Sequence, residues 1–236
     1  MRFLPGRYYL ESRYNSNLAY FLLYICKYWG TIALFYLISS DVDFELNDAL
    51  LFLLSLFLYF AVYDYFCFVN DQEPGALTVR TGDIVSKKDV IFQVSFVSLI
   101  GLAFFGDAFI TPILVCVLIS FIFHLHNKVS EKTRVITYFL LYIVKPFLLF
   151  QATKLEAIPV FIFAALYAFS YVPYYFVKKF RLTWPNKIVK FCLSGIILKI
   201  TFLTLFLPYN LELVYIIFLQ LSLTIIDYCI NRKSRN

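Results

Sequence analysis

Ala49-Leu50-Leu51-Phe52-Leu53-Leu54-Ser55-Leu56-Phe57-Leu58-Tyr59-Phe60-Ala61-Val62-Tyr63-Asp64-Tyr65-Phe66-Cys67-Phe68-Val69-Asn70 is a run of 22 residues with a single charge. That is long enough for a helix to cross the hydrocarbon core of a bilayer. Similar runs lie at 18–39, 90–106, 108–126, 135–151, 157–177, 188–207 and 211–230. Backbone groups in lipid must be bonded within the segment, so such runs form helices. The alternating polarity of a β-barrel is absent. The fold expected is all-α: a polytopic membrane bundle of eight transmembrane helices, with residues 1–236 as one domain. Only Asp107 separates the third and fourth runs, which therefore need a very tight hairpin.

Composition agrees. Of the 236 residues 61% are hydrophobic and 15% charged, and mean hydropathy is +0.77. Soluble domains carry roughly 25% charged residues, so lipid must cover part of this surface. Met1 to Asn17 is polar and basic and no cleavable leader is evident. The net charge of +6 does not point to nucleic acid, because the basic residues sit in short loops between apolar runs. Seventeen Lys and Arg fall at the two ends and in loops 71–89, 127–134 and 178–190; the opposite loops hold only Lys154. Under the positive-inside rule the basic side is cytoplasmic. Both termini then face the cytoplasm, and the larger cytoplasmic loops are the expected place for function. The five cysteines form no CxxC pair or metal-spaced cluster, and most read as small buried apolar residues.

Chemistry concentrates at the end of the second run. Asp64 and Asp71 are seven apart, so they share a helix face about 10 Å apart along the axis. A carboxylate as deep as Asp64 needs a cation, a partner or water. Two carboxylates at a cytoplasmic helix end suit Mg²⁺, which takes one or two protein carboxylates and completes its shell with water and phosphate oxygens. The plainer alternative is that Asp71 ends the helix and Asp64 pairs with a buried lysine. Gly82 makes a turn plausible in the next loop, and Arg80 is either a phosphate fork or an ordinary topology charge. Ser86 with Asp89 fits a capping box at the start of the third helix.

Lys27, Lys145 and Lys199 lie within spans, where charge reads as functional by default. Lys145, beside Pro146, either lines a polar cavity or neutralises an acid such as Asp64. After the sixth run, Tyr171, Tyr174, Lys178, Lys179 and Arg181 read either as an anionic head-group grip or as an aromatic belt followed by topology charges. His124 and His126 are two apart and point to different helix faces.

The eight spans together with Asp64-x-x-Cys67-x-x-x-Asp71, then Arg80, Gly82 and Ser86, resemble the UbiA superfamily of intramembrane prenyltransferases. In that family the second helix ends in NDxxDxxxD. Here Tyr63 stands for the leading Asn and Cys67 for the middle Asp. A second aspartate motif, due near 172–183, is missing: no acid lies between Glu156 and Glu212. The resemblance covers the whole chain in topology and about 25 residues in motif. It implies a cytoplasm-facing cavity that binds an isoprenoid diphosphate through Mg²⁺ on Asp64 and Asp71. Lys145 would be a basic residue of the fifth helix, Arg80, Tyr171, Tyr174, Lys178, Lys179 and Arg181 would bind substrate, and the prenyl group would pass to a hydrophobic or amphipathic acceptor. The metal and basic groups would stabilise the leaving diphosphate. The alternatives are a catalytically inactive UbiA-like protein that binds lipid or a membrane partner, and an unrelated transporter-like bundle.

Overall fold

A computed structural model describes residues 5–14, 16–30, 32–33, 36, 45–72, 86–130, 133–152, 160–161, 163–165, 167–168, 218 and 222. Every regular element among them is helical. The elements are α1 (Arg7–Tyr14), α2 (Leu18–Ile25) running into a π-turn (Cys26–Gly30), α3 (Leu46–Gln72), α4 (Lys87–Phe105), a 3₁₀ turn (Gly106–Phe109), α5 (Ile110–Lys128), α6 (Arg134–Val144) and a 3₁₀ segment (Lys145–Ala152). The runs expected at 188–207 and 211–230 lie outside the described residues apart from helical positions 218 and 222, and the run at 157–177 is described only at its helical positions between 160 and 168. The chain divides into two compact units. The first comprises Met1–Leu22, Val42–Val129 and Phe147–Lys154, the second Leu23–Asp41, Ser130–Pro146 and Leu155–Asn236.

Two helical stretches among the described residues, Leu46–Gln72 and Lys87–Lys128, are long and apolar enough to cross a membrane. At 1.5 Å per residue α3 is about 40 Å long, more than the roughly 30 Å of a hydrocarbon core. Its start is polar: the Glu45 N–H donates to the Asp48 carboxylate at 3.0 Å. One face of α3 is buried at Leu51, Ser55, Leu58 and Val62. The opposite face carries Leu46, Leu50, Leu53 and Phe57 at 75, 43, 47 and 43% exposure. Both sets step by four, three and four, the spacing of a single helix face. A helix that is apolar on its exposed face as well as its buried one is suited to lipid rather than water.

Lys87–Lys128 is bent back on itself. Its start is fixed by Ser86, whose side chain accepts the Asp89 N–H at 3.1 Å while the Asp89 carboxylate accepts the Ser86 N–H at 3.3 Å. This is the capping box expected from the sequence. The hairpin forced by the lone Asp107 is also present, as the Gly106–Phe109 turn. Val90 and Val94 of α4 line one groove with Val117 and Ser120 of α5, whereas in a straight helix Val90 and Ser120 would be about 45 Å apart. Both legs pack on α3. Pro112 falls in the first turn of α5, where no intrahelical N–H bond is lost. Phe109 is fully buried and lies on Gly101, where an added Cβ would stand 2.2 Å from the ring. Only a glycine leaves room for the turn to close.

In the second unit α6 stops at Val144 and tightens into 3₁₀ geometry at Lys145-Pro146, because Pro146 cannot continue the α-helical ladder. The Pro146 carbonyl accepts the Tyr36 hydroxyl at 2.6 Å. In the π-turn the Tyr28 carbonyl accepts the Tyr167 hydroxyl at 3.1 Å. Tyr142 has Tyr138, Tyr28 and Tyr167 around it at ring separations of 4.9, 6.4 and 5.8 Å.

The hairpin contact is testable. Gly101→Ala should lower stability by about 1–3 kcal/mol through overpacking, measured by unfolding in detergent micelles. Adding Phe109→Leu should recover part of that loss; strictly additive effects would show that the two residues do not touch.

Candidate functional site

The site forms where α1 lies along the last two turns of α3. A helix leaves its first N–H groups without intrahelical partners, and α1 has no side-chain cap of its own from residues 5 and 6. Asp64 of α3 supplies the cap from across the chain. Its Oδ2 accepts the N–H of Gly6 at 2.8 Å and of Tyr8 at 3.3 Å, and its Oδ1 accepts that of Tyr9 at 3.0 Å. Gly6 has φ +87°, a conformation that L-residues rarely adopt, and this turn aims three amides within four residues at one carboxylate. The partial positive charge at a helix N-terminus further favours the anion.

One and a half to two turns on, α1 meets Asp71. Arg13 Nη2 donates to Oδ1 at 2.7 Å and Nη1 to Oδ2 at 2.8 Å, a bidentate fork of the strong charge-assisted kind. The Tyr8 hydroxyl adds a third bond, to Oδ2 at 2.8 Å. The amides at the start of α1 meet Asp64 and Arg13 near its end meets Asp71, seven residues later on α3, so the two helices run in the same direction. Asp64 is 5% exposed and Asp71 3%. Each carboxylate has about four lone-pair sites, of which three are filled in each case.

The electrostatics keep the donors protonated. Burial pushes the Tyr8 hydroxyl up, and its bond to Asp71 raises it further. Burial is the largest influence on Arg13 and opposes its charge, but the hydrogen bond to Asp71 and the neighbouring acidic groups together outweigh it, and the guanidinium sits above its ordinary range. Rings close over the dock. Tyr9 meets Tyr63 edge-on at 5.0 Å, Tyr8 meets Phe68 edge-on at 5.6 Å, and Tyr63 stacks on Tyr59 at 5.1 Å. Cys67, between the two acids in sequence, is buried. Arg7 and Glu11, on the wetter side of α1, form an i,i+4 pair at 2.7 Å.

The structure thus brings Asp64 and Asp71 together on one neighbour, and that neighbour is the chain's own N-terminal segment. A lysine partner for Asp64 is not what is found: its described partners are three backbone amides. Asp71 does more than end its helix, since it holds Arg13. Lys145 belongs to the other compact unit, where it is 3% exposed with its ammonium 4.2 Å from the centre of the Tyr142 ring, a cation–π arrangement. Arg80, Tyr171, Tyr174, Lys178, Lys179 and Arg181 lie outside the described residues, as do Lys199 and Gly82. His124 is exposed and His126 buried, on different faces as expected. Among the described residues no group of three or more His, Cys, Asp or Glu could hold a metal ion.

Gly6, Tyr8, Tyr9 and Arg13 were not singled out by their sequence. Arg7 and Arg13 read as topology charges in a polar tail. The available signal was the glycine just before an Arg7–Glu11 helical pair, together with two acids near the end of one apolar run that required donors. No family model, curated protein or solved structure matches the chain.

Breaking a buried pair by removing one partner costs about 3–5 kcal/mol when both ions are enclosed. With Arg13 27% exposed, Arg13→Ala should cost somewhat less, about 2–3 kcal/mol. In a cycle of Arg13→Ala and Asp71→Asn, unfolding in micelles should give a coupling of roughly 1–3 kcal/mol. A coupling near zero would mean that the fork does not hold α1.

Proposed function

We propose that this chain is a multi-pass membrane protein of eight helices with UbiA-like architecture, both termini cytoplasmic, acting without prenyl-transfer chemistry as a lipid-binding or partner subunit. The exposed apolar face of α3, the two stretches able to cross a membrane and the one-sided distribution of Lys and Arg support the membrane part of this reading. The observation that carries the functional part is the occupation of Asp64 and Asp71. The two acids kept from the first UbiA-like motif are engaged by α1, and the second acidic motif is missing from the sequence. A diphosphate carries several negative charges, and without acids to recruit metal on its second side it must rely on basic side chains such as Lys178, Lys179 and Arg181.

A divergent transferase is the second reading. It is favoured by the retained Asp64–Asp71 spacing and by the Arg80, Gly82, Ser86 sequence that follows. Mg²⁺ would supply charge neutralisation to a departing diphosphate in that case. In the arrangement described, the pair does not fit such an ion. The carboxylate oxygens point at N–H donors, and the Arg13 charge repels a dication.

The two readings separate in one assay. The full-length protein in detergent or nanodiscs should show no Mg²⁺-dependent release of diphosphate from geranyl, farnesyl or longer prenyl diphosphates, while native mass spectrometry should find retained lipid. Mg²⁺-dependent turnover that Asp64→Asn and Asp71→Asn each abolish would replace this reading with the transferase. For topology, a cysteine placed in loop 40–48 should react only with reagent applied from the non-cytoplasmic side.

A further inference from the structure

If the Asp64–Asp71 pair is structural, as proposed above, a physical question remains about its charge. Two carboxylates one and a half to two turns apart, each under a tenth exposed, cannot both stay ionised in an apolar surround unless positive charge is brought to them. Enzymes that keep acids in such places commonly use a divalent cation, which takes carboxylate oxygens and little else from the protein. Here the positive charge is carried by the chain. The amino end of α1 gives Asp64 three N–H donors and the positive end of its dipole. Arg13 gives Asp71 a full charge in a planar fork. Together these amount to about one and a half positive charges against two negative ones. Both oxygens of each carboxylate are engaged.

We propose that α1 is a built-in substitute for a divalent cation: its amino end and Arg13 neutralise the Asp64–Asp71 face in place of metal, so the intact protein is indifferent to divalent cations and becomes responsive to them when the Arg13 charge is removed. The substitution is unequal at its two ends. Asp64 is held by backbone amides, which no side-chain replacement deletes. Asp71 depends on one side chain for its charge, because the Tyr8 hydroxyl is a neutral donor. The vulnerable position is therefore Asp71. The cation that replaces Arg13 must be small, must accept oxygen ligands and must keep water, which describes Mg²⁺ or Mn²⁺.

Mn²⁺ is the probe, used on the full chain in detergent without any added lipid diphosphate. Wild type should show the same melting temperature with and without millimolar Mn²⁺ at matched ionic strength. Arg13→Gln should melt lower, and Mn²⁺ should raise it again by roughly 2–4 °C. Arg13→Gln with Asp71→Asn should lose that response. Arg13→Lys keeps the charge and loses the fork, so it should fold and stay indifferent to Mn²⁺. This variant, with Mn²⁺ binding followed by electron paramagnetic resonance, keeps the test decisive if Arg13→Gln does not fold. The proposal is overturned if wild type or Arg13→Lys binds Mn²⁺ in an Asp71-dependent way, or if folded Arg13→Gln is as indifferent as wild type. Turnover of a prenyl diphosphate would overturn the functional reading instead, so the two failures are distinct.

Discussion

A carboxylate inside an apolar helix sets the terms for the rest of this structure. Asp64 and Asp71 sit on a helix whose other surfaces are aliphatic or aromatic, and burying an ion without donors costs far more than any single packing contact returns. Something had to meet them. The segment that does so is short: α1 has eight residues, too few to be stable alone in water. Each side of the contact therefore needs the other. The carboxylates give α1 its cap and its fork, and α1 gives the carboxylates their donors. The Gly6 turn, the bond from Ser16 N–H back to the Leu10 carbonyl and the aromatic contacts of Tyr8 and Tyr9 follow from that mutual requirement.

The same constraint explains why the apolar helices and the polar segments of the sequence look so different. Leu46, Leu50, Leu53 and Phe57 form an exposed apolar row on α3, and Phe92 and Phe96 of α4 are also exposed and stack on each other at 6.0 Å. Exposed apolar patches of this extent mark a surface that meets something other than water. Polar residues inside these helices are handled locally. Ser55 and Ser120 bond the carbonyls of Leu51 and Cys116, four residues back, at 2.7 and 2.8 Å. Asp64 and Asp71 are not satisfied within their own helix and reach to another element.

How much of this was legible depends on the range of the interaction. The helix at 46–72, the hairpin at Asp107 and the Ser86–Asp89 cap all follow from periods and spacings within a few residues, and a single sequence carries that information. The shared face of Asp64 and Asp71 was legible for the same reason. Their partners were not. Nothing local ties Arg13 to a residue 58 positions later, and Arg13 sits in a basic stretch whose charges have a complete explanation in topology. The Asp64 contacts were harder still, because backbone amides have no sequence signature. Only the glycine at position 6 hints at where they point. Lys145 shows the intermediate case. Its burial was expected from the apolar run, while its seat on Tyr142 depends on the end of α6 at Pro146 and on the rings of Tyr28 in the π-turn and Tyr167.

Three buried charges among the described residues are therefore met in chemically different ways: Asp64 by amides, Asp71 by a guanidinium and a hydroxyl, Lys145 with an aromatic face beside it. The difference bears on what each can do. A backbone cap is released only if its helix unwinds or leaves, so Asp64 is committed for as long as α1 is folded. A guanidinium fork opens by side-chain motion, so Asp71 can change partners without unfolding anything. The Lys145 ammonium is held over the Tyr142 ring, whose own place depends on its packing with Tyr28 and Tyr167. Asp64 is then an anchor, and of the two aspartates on this helix face Asp71 is the one whose partner can be exchanged.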